Sequence, residues 1–283
     1  MLRSIIFIIA VIACLSCQTE IEIEAALSKP LYVANALFNT DSVWIVRLSK
    51  SRNILERRNS YENVTNAKIT IRDESDNIVE TISYSPSSPG KYIGKTYPLI
   101  SHKYRLQIDI EDFGQIRGEN KIPEEVKIIS LEVDSTAFKS GQNHIDVTLT
   151  FEDPKDVENY YVVRTLNMIA NRGFEAIPMA ATDPLWNNDY SDSRSIVFRD
   201  NFFNGNKYEL HFRISKSGYA AQNQPYRVIL QNVSKEYYLY FTTKNLQENT
   251  KLDYFAQPTQ VYTNLENGVG IFAGYSASEF ELK

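Results

Sequence analysis

Short runs of alternating apolar and polar residues, each closed by turn-forming residues, set the limits on what this 283-residue chain can fold into. Side chains on a strand point to opposite faces in turn, so period-two alternation specifies a half-buried strand. Residues 67–72, 104–110, 144–151 and 208–214 follow that pattern. Asp73, Asp76 and Asn77, then Pro86, Pro89 and Gly90, then Asn204, Gly205 and Asn206 supply the punctuation that turns require. Tyrosine (18) and phenylalanine (14) are abundant and methionine (3) is scarce, a bias that suits pleated surfaces. The expected fold class is mainly β.

Strands are expected at 31–37 and 43–48, a hairpin around Asn39 to Ser42, and then at 67–72, 78–84, 92–93, 104–110 and beyond Gly114. Short strands at regular spacing over residues 31–122 predict an immunoglobulin-like β-sandwich. Pro123 cannot donate to a ladder and biases its neighbour to extended geometry, which places a linker at 123–127. Residues 128–283 then form a second β-rich domain, sandwich or barrel-like, with one short helix. Its strands are expected at 128–133, 144–151, 160–166 and 226–231, with 195–198 and 208–214 as a hairpin and 171–195 as a long loop. Ser234 reads as the helix N-cap, and Tyr237, Tyr240 and Phe241 share one face that Lys244 extends. That stripe predicts a core-facing helix sealing the open end of the sandwich.

The N-terminus has the layout of a secretory signal peptide over residues 1–16: Arg3, an apolar run over 5–15, and the small Ser16 before Cys17. The run falls short of the ~20 residues that a spanning helix needs. Cys17 is the expected lipid-attachment residue, with residues 17–30 as a tether carrying Glu20, Glu22 and Glu24. Cys14 competes, because Val11-Ile12-Ala13-Cys14 is the more regular motif; processing before Cys17 would remove it with the signal. No thiol pair is then left for a disulfide. A net charge of -5 and dispersed Lys and Arg leave no basic footprint, so nucleic acid is not an expected partner.

The three histidines, His102, His144 and His211, lie far apart and lack a second ligand at metal spacing. No glycine-flanked serine, phosphate-cradling loop or paired histidines occurs, which gives no seat for enzymatic chemistry. No cofactor is expected. The weak metal candidates are Asp183, Asp189, Asp192 and Asp200, since calcium takes oxygen ligands, although their spacing departs from a twelve-residue calcium loop. Trp186 and Tyr190, with Phe202 and Phe203 nearby, form a possible contact patch for a sugar, peptide or protein. Near the C-terminus, Asn267-Gly268 predicts a tight turn with positive φ, and Gly270 a close backbone approach. Asn264 and Asn267 are candidates for a binding surface there.

Residues 255–275 are the most distinctive stretch in the chain. With Ser16-Cys17, Pro30-Leu31-Tyr32-Val33, Asp153-Pro154, Asn159-Tyr160-Tyr161 and Phe203-Asn204-Gly205, they resemble domain-of-unknown-function family 4249, lipoproteins of Bacteroidota. Gln257 stands where that family commonly has an acidic residue. The resemblance implies an outer-membrane lipoprotein, anchored by lipid and facing the cell surface, that works with a TonB-dependent transporter in nutrient uptake. It implies no activity. The alternative expectation is a structural or adhesive surface module without a small-molecule ligand. Two or more acyl chains, at ~0.8 kcal/mol per buried methylene, hold a protein durably on a membrane. Fractionation is therefore expected to find Cys17→Ala released from the membrane and Cys14→Ala unchanged; the reverse result moves the lipid to Cys14.

Overall fold

The computed structural model describes residues 30–52, 60–133, 144–169, 173–183, 194–215, 226–250 and 259–282. Cys14, Cys17, Trp186, Asp189, Tyr190 and Asp192 lie outside them, as do the signal segment and most of the tether. The first module contains β1 (Tyr32–Phe38), β2 (Ile45–Lys50), β3 (Lys68–Arg72), β4 (Ile78–Tyr84), β5 (Lys91–Ile93), β6 (Lys103–Ile110) and β7 (Gly114–Lys121). They pair in the order β1-β2-β5-β4-β3-β6-β7, all antiparallel. The sheet folds over one core, because alternate residues such as Val46 and Leu48, Ile69 and Ile71, and Leu106 and Ile108 are buried together. At its centre the Phe38 ring meets Trp44 at 5.0 Å and Tyr104 edge-on at 6.1 Å.

The second module contains β8 (Ile128–Val133), β9 (His144–Glu152), β10 (Tyr160–Ile169), β11 (Gly173–Ala176), β12 (Met179–Ala181), β13 (Ile196–Arg199), β14 (Lys207–Ser215), β15 (Tyr226–Val233), α1 (Lys235–Thr250) and β16 (Val269–Leu282). A four-stranded sheet, β12-β14-β9-β8, faces β11-β10-β15-β16, and Phe151, Tyr161, Phe198 and Phe212 fill the space between them. The fold is mainly β and sandwich-like in both modules, with no closed barrel among the described residues.

Three local expectations change, and a fourth follows at the C-terminal strand. Residues 171–195 hold two short strands, β11 and β12, as well as loop; Gly173, with φ +83°, turns β10 back on β11. Residues 195–198 and 208–214 do not form a hairpin: β13 pairs with β10 and β14 with β9, so residues 200–206 cross from one sheet to the other. Helix α1 covers a face of the sandwich instead of its end. Tyr237 is buried beside Tyr160, Val162, Val233, Ile271 and Ala273, on the side of the sheet away from the sandwich core. Ser234 caps α1 as its residue type requires, its Oγ accepting the Tyr237 N–H at 3.3 Å.

The C-terminal strand is the main departure. Residues Val269 to Gly274 of β16 pair in parallel with β1, and Tyr275 to Leu282 pair antiparallel with β15. One sheet therefore runs through both modules, and Leu265 and Phe272, expected in the second domain, are buried in the first core. The segment 123–127 leads from Ile122 in the first core into the second, where its own Val126 is buried, and it is fastened. The Glu124 carbonyl accepts from Asn232 Nδ2 and from Ser276 Oγ, each at 3.0 Å.

Gly270 has φ +119°, and a Cβ there would lie 2.0 Å from the Ala34 carbonyl oxygen of the paired strand. Gly114, at φ +112°, has nothing within 4 Å of the same position. Chemical denaturation should show Gly114→Ala losing roughly 1–3 kcal/mol from backbone strain alone. Gly270→Ala is expected to lose at least ~2 kcal/mol more, with fluorescence from both cores falling in one transition.

Candidate functional site

Three places concentrate polar chemistry, and two are engaged in holding the fold. The first gathers Asp153, Asn159, Asp200 and Gly205 where the β9–β10 and β13–β14 connections meet. Asp153 is buried and accepts from the Tyr161 hydroxyl and, at 2.9 Å, from the Gly205 N–H. Gly205 has φ +72°, and a Cβ would lie 3.1 Å from Lys155 Cα, so glycine is required there. Asp200 Oδ2 accepts the Asn159 N–H at 2.8 Å, while its own N–H returns to the Asn159 carbonyl at 3.2 Å. Asn159 Oδ1 accepts from Asn232 Nδ2 at 3.1 Å, joining this knot to the linker contact. Burial raises both Asp153 and Asp200 above the usual carboxylate range, against the hydrogen bonds they accept.

Asp183, also buried, accepts from the Tyr208 hydroxyl at 2.6 Å. Asp183 and Asp200 thus serve separate internal hydrogen bonds. Among the described residues no group of three His, Cys, Asp or Glu is placed to hold a metal. Phe203 packs in the core, stacked on Tyr208 at 4.0 Å, and Phe202 is 68% exposed. His102 faces the Ile100 carbonyl at 2.9 Å, His211 meets Thr148 at 3.0 Å, and His144 lies 3.8 Å from Asp146.

The second place is the C-terminal motif. Over its first half β16 has β1 on one edge, and side-chain amides satisfy the other. Asn264 Oδ1 accepts the Phe272 N–H at 3.0 Å and its Nδ2 donates to the Phe272 carbonyl at 2.7 Å, as a neighbouring strand would. Asn120 Oδ1 accepts the Gly274 N–H at 2.9 Å. Asn267, at φ +58°, donates from Nδ2 to the Gln115 carbonyl at 3.2 Å. Asn264 also borders a shallow cavity of about 460 Å³ beside Arg105 and Arg117.

The third place is a cleft of about 850 Å³. Its floor is the outward face of β1, β2 and the start of β16, carrying Val33, Asn35, Arg47, Ser49 and Gly270. One wall is α1 with Tyr240, Lys244 and Glu248; Tyr262 sits beside it, its N–H donating to Thr243 Oγ1 at 2.9 Å. The opposite wall holds Tyr61 and Asn63, with the Arg52 guanidinium 5.0 Å from the Tyr61 ring centre. The Tyr240 hydroxyl donates to Asn35 Oδ1 at 3.3 Å, pinning helix to strand. Burial raises the Tyr240 and Tyr262 hydroxyls, so both stay neutral donors at physiological pH. Concavity with ring faces, amides and a few charges is the usual make-up of a ligand pocket.

Of the cleft's side chains, Tyr240 and Lys244 are read in the sequence as part of a helix face, and none is read as a ligand contact. Arg47 sits at an exposed strand position, and Tyr240 belongs to a stripe that reads as core. Their common signal is a polar or amphipathic residue on an outward face, which only the contact of α1 with β1 turns into a site.

A family model described as "Domain of unknown function (DUF4249)" matches residues 18–281. Among curated proteins none matches the chain. Of solved structures, the yeast delta-COP-I mu-homology domain is 12% identical, with 88% of this chain and 92% of that chain covered and a TM-score of 0.23. The same yeast domain complexed with the Dsl1 WxWxV peptide is 13% identical, covering 88% and 93%, with a TM-score of 0.22. Those scores carry no argument about this chain.

The raised carboxylates give a sign that can be checked. A native state that keeps its protons to higher pH than the unfolded chain loses stability as pH rises from the unfolded value, about 4, through the raised native value. Relative to an Asp153→Asn, Asp200→Asn double variant, the parent chain is expected to be more favoured near pH 4 than near pH 7 in urea titrations. A parent whose advantage grows with pH contradicts burial as the dominant cause.

Proposed function

The chain belongs to this domain-of-unknown-function family, and we propose that it is a ligand-binding or accessory lipoprotein of the outer membrane, working with a TonB-dependent transporter in nutrient uptake. The cleft between α1 and the β1–β2 face is the observation that carries the binding half of this reading. Its volume suits a small molecule or a few units of an oligomer, and its lining mixes ring faces with hydrogen-bonding groups. The signal-like run ending at Ser16-Cys17, and the acidic residues that follow it, support a body held at a membrane by lipid on Cys17 and facing outward. No described helix is long and apolar enough to cross one. Binding is favoured over catalysis because the buried carboxylates are committed to internal hydrogen bonds at the loop knot.

A structural or adhesive spacer is the second reading, and one observation favours it: a single sheet passes through both modules and fastens the linker, which suits a rigid arm. The two readings part on ligand stabilisation and on company. A ligand at a hundred times its Kd stabilises by ~2.7 kcal/mol, a shift easily seen on melting. Thermal-shift screening is expected to find a stabilising nutrient, and gentle detergent pull-down to recover a β-barrel transporter. Recovery of the protein alone, with no compound shifting its melting, selects the spacer.

A further inference from the structure

Resting on the binding reading, we propose that the cleft takes an acidic oligosaccharide and that Arg47 holds its carboxylate. Arg47 projects from the middle of β2 on the cleft floor and forms no ion pair among the described residues. Three cationic side chains, Arg47, Arg52 and Lys244, border the cleft, in a chain whose net charge is -5. Among the described lining residues the one carboxylate, Glu248, lies 3.5 Å from Lys244, so that pair largely neutralises itself. The Arg47 guanidinium on the floor is planar, permanently charged and shaped for bidentate contact with a carboxylate.

The backbone decides between a saccharide and an acidic peptide. An extended peptide gains affinity by adding a strand to a free sheet edge. Here β1 is paired on both sides, with β2 and β16, and β2 is paired with β1 and β5. On the floor β1 and β2 therefore offer no edge, and on the outer edge of β16 the Asn264 and Asn120 amides already bond Phe272 and Gly274, so recognition falls to side chains. Asn35 and Asn63 supply amides for hydroxyl groups, and the Tyr61, Tyr240 and Tyr262 rings supply faces for the apolar side of a sugar. A polyhydroxylated ring bearing a carboxylate satisfies both the amides and Arg47.

The test is calorimetric titration of the mature chain with tetragalacturonate, maltotetraose and a tetraglutamate peptide. Arg47 is exposed on its strand, so Arg47→Gln is expected to fold with an unchanged melting temperature. Tetragalacturonate is expected to bind saturably, ~10-fold or more weakly to Arg47→Gln, and with intermediate affinity to Arg47→Lys, which keeps the charge without the fork. Absent binding, equal binding by Arg47→Gln, or tighter binding of the peptide or of maltotetraose overturns the proposal. If a neutral sugar binds, or a transporter is recovered, while tetragalacturonate fails, the ligand class is wrong and the binding reading stands. If no compound binds and no transporter is recovered, that reading falls as well.

Discussion

The parallel pairing of β16 with β1 is the constraint on which the rest of the molecule depends. Six residues of the C-terminal strand lie beside the first strand of the described chain, and the next eight continue into the second module's sheet. Phe272 enters the first core from this strand, 4.6 Å from the Phe38 ring, where a fully buried large side chain contributes about 1.5–3 kcal/mol. Neighbouring Ile271 and Ala273 point the other way, under α1. A single alternation along β16 thus serves the first core and the helix contact at once.

The close approach has requirements that account for the C-terminal motif. Gly270 lets the strand run against Ala34, and Asn264 and Asn120 supply the hydrogen bonds that a further strand would have given. An unpaired buried backbone group costs about 1–3 kcal/mol, so an amide that mimics a strand is a strong local need. Glycine and asparagine are therefore prominent here for the backbone. The loop knot of Asp153, Asn159, Asp200 and Gly205 does the same for the crossing between sheets and, through Asn232, ties that crossing to the linker.

The cleft follows from these arrangements. The parallel pairing brings β16 to β1, the cap at Ser234 starts α1 beside Gly274, and Tyr240 reaches Asn35 across the groove. Each of these contacts, with the buried packing of Tyr237, helps to hold the helix wall against the strand floor. The site is a property of the junction, with floor and walls drawn from opposite ends of the sequence.

The sequence by itself determined where most of the strands lie, because alternation, turn residues and β-branched or aromatic content are local; β11 and β12, too short to show a period, read as loop. The strand at residues 78–84 and the start of β8 at Ile128 are read at the positions where they occur, and so is the cap of α1. Only the tertiary structure decided which strand meets which. Backbone N–H and C=O groups are alike in every residue but proline, so the pairing of residues 269–274 with β1, or of β13 with β10 instead of β14, leaves no periodic mark in the segment that makes it. Asn264 shows the same limit at one residue: its type announces a hydrogen-bonding role, and the partner, Phe272, is fixed only when β16 leaves an edge to be satisfied. Arg47 shows it for the site, since an exposed arginine on a strand becomes a candidate ligand contact only once α1 stands opposite.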